Sequence, residues 1–233
     1  MRQILEDGFK ELCIPCNDQM FAQFEAYYSY LTERNAVMNL TAIEGVENTA
    51  RLHFLDCAAL CSIYNFKNKS LIDIGTGAGF PGLPLKITQP TIDLTLLDGT
   101  QKRVNFLSET CKLLGFSEVR CVCERAEDAA PDIGGSFDVA VSRAVARLNV
   151  LCELCLPFVH VGGVFIAMKG PDCSQELSDA SHAISVLGGA APELVTYKIP
   201  GTDIFHSAII IKKIKPTPSI YPRQFGQIKK SPL

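Results

Sequence analysis

Eight consecutive residues, Asp73-Ile74-Gly75-Thr76-Gly77-Ala78-Gly79-Phe80, set three glycines two apart behind an acid and ahead of Pro81 and Pro84. Glycines so spaced let the backbone turn sharply and approach a ligand with no side chain between. The run SLIDI reads as a buried strand, so this turn falls where a strand hands over to a helix, the station at which open α/β sheets bind ligands. The spacing separates two cofactor classes. A dinucleotide fingerprint is G-x-G-x-x-G, which seats a pyrophosphate on a helix N-terminus. Here the pattern is G-x-G-x-G, and Asp73 would repel a pyrophosphate but attract a cationic amino-acid-like group such as S-adenosylmethionine carries. Asp98 ends the next apolar run, where an acid can hold both hydroxyls of a ribose. Ala126-Glu127-Asp128 follows a third run, and a backbone amide with a carboxylate there can read an adenine edge; a solvated acidic loop is the other reading.

Basic side chains form a second set. Arg143, in Ser142-Arg143-Ala144, closes the run FDVAV, and a charge projected from a central strand end over a pocket is a positioning candidate, with a plain salt bridge as its alternative. Lys169 closes VFIAM in the same way, and with Lys102 and Arg103 it can line a pocket rim for a phosphodiester. His53 and Asp56 share one apolar-periodic stretch, where His53 reads as packed or capping because no acid–base partner is evident. The chain carries 22 basic and 25 acidic residues, a net charge of −3, which alone disfavours a polyanionic partner. The distribution alters that. Lys212, Lys213, Lys215, Arg223, Lys229 and Lys230 fall in residues 212–233 without one acid, a candidate phosphate-binding arm in which Arg223 is a candidate RNA contact, or else a solvated terminus. Ten cysteines include two C-x-x-C pairs, Cys13 with Cys16 and Cys152 with Cys155, but none at zinc-site spacing with a histidine. We expect no metal, and reduced thiols buried in the core.

These groups must be held by regular elements. A length of 233 residues suits one large domain or one domain with an appendage. Phe21, Phe24, Tyr28 and Leu31, and then Leu52, Leu55, Ala59 and Ile63, mark two amphipathic helices with a loop, MNLTAIEGVENTA, between them. From Ser70 strands alternate with helices, which predicts a parallel sheet covered on both faces. Thr100 can cap the helix whose stripe is Val104, Leu107, Cys111 and Leu114, and Gly115 ends it. ELVTYKI and FHSAIIIKK flank Pro200-Gly201, predicting a closing antiparallel hairpin. The expected divisions are a helical subdomain over 1–66, the sheet domain over 67–215 and a basic tail over 216–233. No run reaches the roughly 18 apolar residues of a membrane span, and the N-terminus lacks an uninterrupted apolar signal region, so a cytoplasmic protein without membrane association is expected.

Taken together, IDIGTGAGFPGLPL, LLDGTQKR, ERAED, VSRAVARL and GGVFIAMKG resemble the RsmG (GidB) family of bacterial small-subunit (16S) ribosomal RNA guanine-N7 methyltransferases. MNLTAIEGVENTARLHFLDCAAL and YPRQFGQIKKSPL are similar too, so the resemblance runs from about Asn35 to the end. It departs at Gly99-Thr100, Arg147 and Ile228. The resemblance implies a Rossmann-like class I methyltransferase sheet with an N-terminal helical extension, S-adenosylmethionine as donor, and ribosomal RNA or the small subunit as partner; separately, we expect a monomer. It places cofactor contacts on Gly75 through Phe80, including Gly77 and Gly79, on Ala126 and Glu127, and on Arg143. Guanine N7 has no proton to lose, so such a reaction needs orientation rather than a general base. Two other classes stay open on the residues alone: a Rossmann oxidoreductase, which would bind NAD, and a small-molecule methyltransferase, which would not depend on the basic tail.

Overall fold

Apolar runs that are buried on both faces read as strands of a covered parallel sheet, and the computed structural model, which describes residues 1–143 and 145–233, builds seven strands, the central ones from such runs and the two at the sheet edges half-exposed. Ala144, from the Ser-Arg-Ala motif, lies outside the described residues. In chain order, α1 (Arg2–Glu11) and α2 (Asp18–Met38) lead into a helical run in which α3 (Val46–Thr49), a π-helical turn (Ala50–Leu55), α4 (Asp56–Ala58) and α5 (Leu60–Ile63) follow one another. Then come β1 (Ser70–Ile74), α6 (Gly82–Thr88), β2 (Asp93–Asp98), α7 (Gln101–Leu113), β3 (Arg120–Cys123), α8 (Ala126–Ile133) and β4 (Phe137–Arg143). The chain closes with α9 (Leu148–Cys155), β5 (Val159–Lys169), α10 (Ser174–Val186), β6 (Glu193–Lys198), β7 (Phe205–Lys212) and α11 (Phe225–Lys230).

The sheet order is β3-β2-β1-β4-β5-β7-β6. β1 pairs in parallel with both β2 and β4, and only the β5–β7 and β7–β6 pairs are antiparallel. The order reverses between β1 and β4, which opens a crevice at their carboxyl ends. Alternation along each strand divides the core. Leu71, Leu94, Leu96, Val139 and Ile166 face one cluster, which continues without a break into Phe9, Phe24, Tyr27 and Phe54 of the N-terminal helices. Ile72, Ile74, Leu97, Phe165 and Ile209 face the other, with Leu148, Leu151 and Ile228.

Several expectations are corrected. Tyr27, not Tyr28, joins the buried stripe of α2, because its hydroxyl finds a buried acceptor in the Ala78 carbonyl while Tyr28 stays half-buried. The helical run begins at Val46, inside the segment read as loop. Thr100 stands at the start of α7 but caps it only through its backbone carbonyl, which accepts from Arg103 and Val104. Ala126-Glu127-Asp128 is not a loop but the first turn of α8, where acids favour the helix dipole. Cys152 and Cys155 are buried thiols as expected, but Cys13, Cys16 and Cys123 are exposed. The basic C-terminal segment is docked rather than free: α11 packs on α9 and buries Ile228 completely.

Candidate active site

The turn after β1 is tied down from both sides. Gly75 and Thr76 each donate a backbone N–H to the Leu97 carbonyl of β2, at 2.9 and 3.2 Å, and Gly79 and Phe80 donate to the Thr76 carbonyl. Gly77 has φ +61°, and a Cβ there would meet nothing nearer than the Gly75 carbonyl at 4.0 Å, so bare backbone floors an open cleft. At Gly79 (φ +100°) a Cβ would strike Leu83 at 2.5 Å and the Tyr27 hydroxyl at 2.8 Å, so the close approach of α2 requires glycine. Asp73, expected at the cofactor, lies instead beneath the turn. It is fully buried, with Oδ2 accepting from Thr76 Oγ1 (2.6 Å) and the Gly82 N–H (2.8 Å). Burial pushes its carboxyl up to about 7, against the pull of those two bonds. It braces the turn against the start of α6 and does not line the cleft.

Asp98, at the end of β2, does line it. Its Oδ1 accepts from the Thr100 N–H at 2.9 Å and its Oδ2 from the Gly77 N–H at 3.1 Å, with Arg103 Nη1 at 3.4 Å. An ionised carboxylate has about four acceptor sites, so one remains, on Oδ1, for a ribose hydroxyl. The cleft holds about 470 Å³ and includes Gly75 to Ala78, Phe80, Asp98, Arg103, Arg125, Arg143 and Val145. A narrower slot of about 110 Å³ continues from it past Leu97, Ala126, Glu127 and Phe225. Arg125 lies 5.7 Å from the Phe225 ring. The first N–H groups of α8 have no partner within the helix, so a flat heteroaromatic ring in this slot meets both apolar faces and unsatisfied donors. These residues fit a nucleoside donor such as S-adenosylmethionine.

At the end of β4, Arg143 is the hub of a buried network. Nη1 donates to the Leu52 carbonyl (3.1 Å) and to Asp56 Oδ2 (3.2 Å), Nη2 lies 2.7 Å from His53 Nδ1, and the guanidinium sits 4.9 Å over the Phe80 ring. His53 stacks on the same ring, with centroids 4.2 Å apart, and its Nε2 meets Thr41 Oγ1 at 2.7 Å. A guanidinium cannot accept a hydrogen bond, so His53 Nδ1 is the acceptor and Nε2 carries the proton. Burial first, and then the Arg143 charge, pull its pKa down to about 3.

The other basic candidates separate. Arg103 is in the cleft lining, whereas Lys102 is exposed and outside it. Lys169 borders a neighbouring cavity but is bound to Glu176 at 2.7 Å and to the Ala146 carbonyl at 2.8 Å. Arg223 is committed to the fully buried Glu153, with Nε and Nη2 at 2.8 and 2.7 Å from its two oxygens, so it anchors the C-terminal arm instead of presenting charge to a phosphate. Residues not singled out from the sequence also line the site: Thr41, Arg125, Val145, His206 and Phe225. Arg125 adjoins the acidic motif, the one local signal among them; Thr41 and Phe225 arrive by long-range packing. Among the described residues no three His, Cys, Asp or Glu side chains group as a metal site.

Residues 20–203 match the family profile described as GidB, rRNA small subunit methyltransferase G. A relative from Alkaliphilus oremlandii, named ribosomal RNA small subunit methyltransferase G, is 48% identical over 236 residues, covering 100% of this chain and 99% of that protein. Among solved structures, a SAM-dependent methyltransferase from Aquifex aeolicus superposes with a TM-score of 0.52 at 16% identity, covering 71% of this chain and 93% of its own. M. jannaschii TYW2, solved in complex with AdoMet, gives 0.51 at 14% identity over 64% of this chain and 70% of its own.

Proposed function

The chain belongs to the rRNA small subunit methyltransferase G family, and from that premise we propose that it moves a methyl group from S-adenosylmethionine to N7 of a guanine in small-subunit (16S) ribosomal RNA, without a general base. When bound, the donor supplies an electrophilic methyl group on a sulfonium centre. The chain's own residues do the rest. The backbone of Gly75 to Phe80 approaches the ligand closely, Asp98 holds a ribose hydroxyl, and the slot at Ala126, Glu127 and Phe225 takes the adenine. Arg143 fixes Phe80, His53 and Asp56 in one arrangement and so acts as a positioning residue.

The resemblance to guanine-N7 methyltransferases carries the choice of N7, and the state of His53 accords with it. His53 is the imidazole lining the cofactor cleft, and both nitrogens are spent: Nδ1 accepts from Arg143 and Nε2–H donates to Thr41. With its pKa near 3 it neither holds a second proton nor offers a lone pair to an acceptor's proton. An exocyclic amine or a hydroxyl must lose a proton on methylation; guanine N7 has none, and placement alone supplies the acceleration, for which orientation effects reach about 7–11 kcal/mol. The same reading has the chain act as a monomer on ribosomal subunits in the cytoplasm; no described helix is long and apolar enough to cross a membrane.

The test is to incubate the protein with labelled donor and small subunits from cells lacking this methylation, then cleave the RNA with borohydride and aniline, which cut at 7-methylguanosine. One new cut in the small-subunit RNA is expected. Label on an exocyclic nitrogen or a ribose oxygen would overturn the N7 assignment.

A further inference from the structure

A second cavity, of about 440 Å³, adjoins the cofactor cleft, and His53 and Arg143 line both. Its apolar walls come from separate parts of the chain: Leu52 from the π-helical turn, Met168 from the end of β5, and Ile204 from the loop before β7. Broad apolar faces with a few placed polar atoms suit a flat heteroaromatic ligand better than a phosphate. The polar atoms are mostly engaged. Asp56 is fully buried; its Oδ1 accepts from the Tyr197 hydroxyl and from His206 Nδ1, both at 2.9 Å, and its Oδ2 from Arg143. Lys169 is held by Glu176 and the Ala146 carbonyl. His206 differs. Asp56 accepts from its Nδ1–H, and in the tautomer so fixed Nε2 is the ring's acceptor; that atom has no partner among the described residues.

We propose that this cavity receives the target guanine, lifted out of its stack, with its N7 edge turned to the Arg143–His53 wall shared with the cofactor cleft and its Watson–Crick edge read by His206 Nε2. Enzymes that modify a base extrude it into such a pocket and read its Watson–Crick edge. A histidine acceptor matches the N2–H donor of guanine, whereas adenine carries no amine at C2. The proposal rests on the guanine-N7 reading above and adds the place of the base and the residue that recognises it.

Three readouts test it, all on small subunits lacking the methyl group. Ile204 is 43% exposed, so Ile204→Trp can fill the cavity without disturbing the core. It is expected to lower kcat at least 100-fold while Kd for S-adenosylmethionine and for the subunit stays within twofold of wild type. Ile220→Trp, at a position 70% exposed and outside the cavity lining, is the control and should stay within twofold in all three. Wild-type enzyme is expected to prefer guanosine over inosine, which lacks the N2 amine, by at least tenfold at the target position, and His206→Ala is expected to bring that ratio within twofold. Finally, 6-thioguanosine at the target position, irradiated with wild-type protein, should crosslink to residues lining the cavity. No 7-methylguanosine from wild-type enzyme would refute the functional reading itself. With that product formed, a wild-type rate from Ile204→Trp, an unchanged inosine ratio in His206→Ala, or a crosslink outside the cavity would overturn the assignment of the cavity.

Discussion

His53 gives up both ring nitrogens to its neighbours, which turns a side chain that ordinarily titrates near neutrality into a fixed strut. The sign of its linkage follows. Its pKa in the folded chain lies below the unfolded value, so the buried neutral form stabilises the protein fully above about pH 6.5, and that contribution is lost as pH falls toward 3. Arg143 is the second cause of the depression, after burial. Arg143→Ala therefore frees Nδ1 and removes a neighbouring positive charge: the imidazole should titrate at a higher pH, followed by its nitrogen chemical shifts. The same change should reduce kcat by about 100-fold, the order expected when a reacting group is misplaced by an ångström. A variant with wild-type turnover and an unmoved His53 titration would show that Arg143 only fills space. The sequence showed Arg143 at a strand end but not what it meets. His53 and Asp56 stand three residues apart on one helical face, yet their partner is about 90 residues away.

Among the elements, the strand-to-helix turn and the C-terminal arm show the limits of local pattern most clearly. Glycine spacing located the turn because its conformation is a local demand: three positive φ values need three glycines. The role of Asp73 was not local, since it depends on α6 folding back to bring the Gly82 N–H within 2.8 Å. The arm looked like free positive charge because its counter-ion, Glu153, lies in another segment. Burying Glu153 completely against Arg223 docks residues 221–233 on α9, seats Ile228 in the core and carries Phe225 to the slot proposed for adenine. Lys213 is similarly withdrawn, donating to the carbonyls of Leu156 and Leu187, and burial pulls its pKa down to about 8. Arg223→Ala should cost about 3–5 kcal/mol by leaving a buried carboxylate unpaired, whereas Lys229→Ala, on the exposed side of α11, should stay within about 0.5 kcal/mol. Urea denaturation measures both; equal small effects would mean that the arm is not anchored through Glu153.

Across the whole molecule, the sheet and the N-terminal helices share one apolar cluster, so the helices are walls of the site and not an ornament on it. They deliver Thr41, His53 and Asp56 over the crevice where the sheet order reverses. Alternation of strands and helices was readable because each run is periodic on its own, and the closing hairpin was readable from Pro200-Gly201. The meeting of three cavities at Arg143 and Gly75 was not, because it depends on tertiary packing. Fold neighbours at 14–16% identity share the sheet, while the 48% relative matches over the whole chain, N-terminal helices included. The account stands on the turn after β1 being the seat of the methyl donor. Titrating the isotopically labelled protein with S-adenosylmethionine and following backbone amide shifts tests this directly. Saturable changes centred on residues 75–80, 98–99, 125–127 and 143 are predicted; a titration that leaves those amides unmoved, or moves another face of the molecule instead, would contradict it.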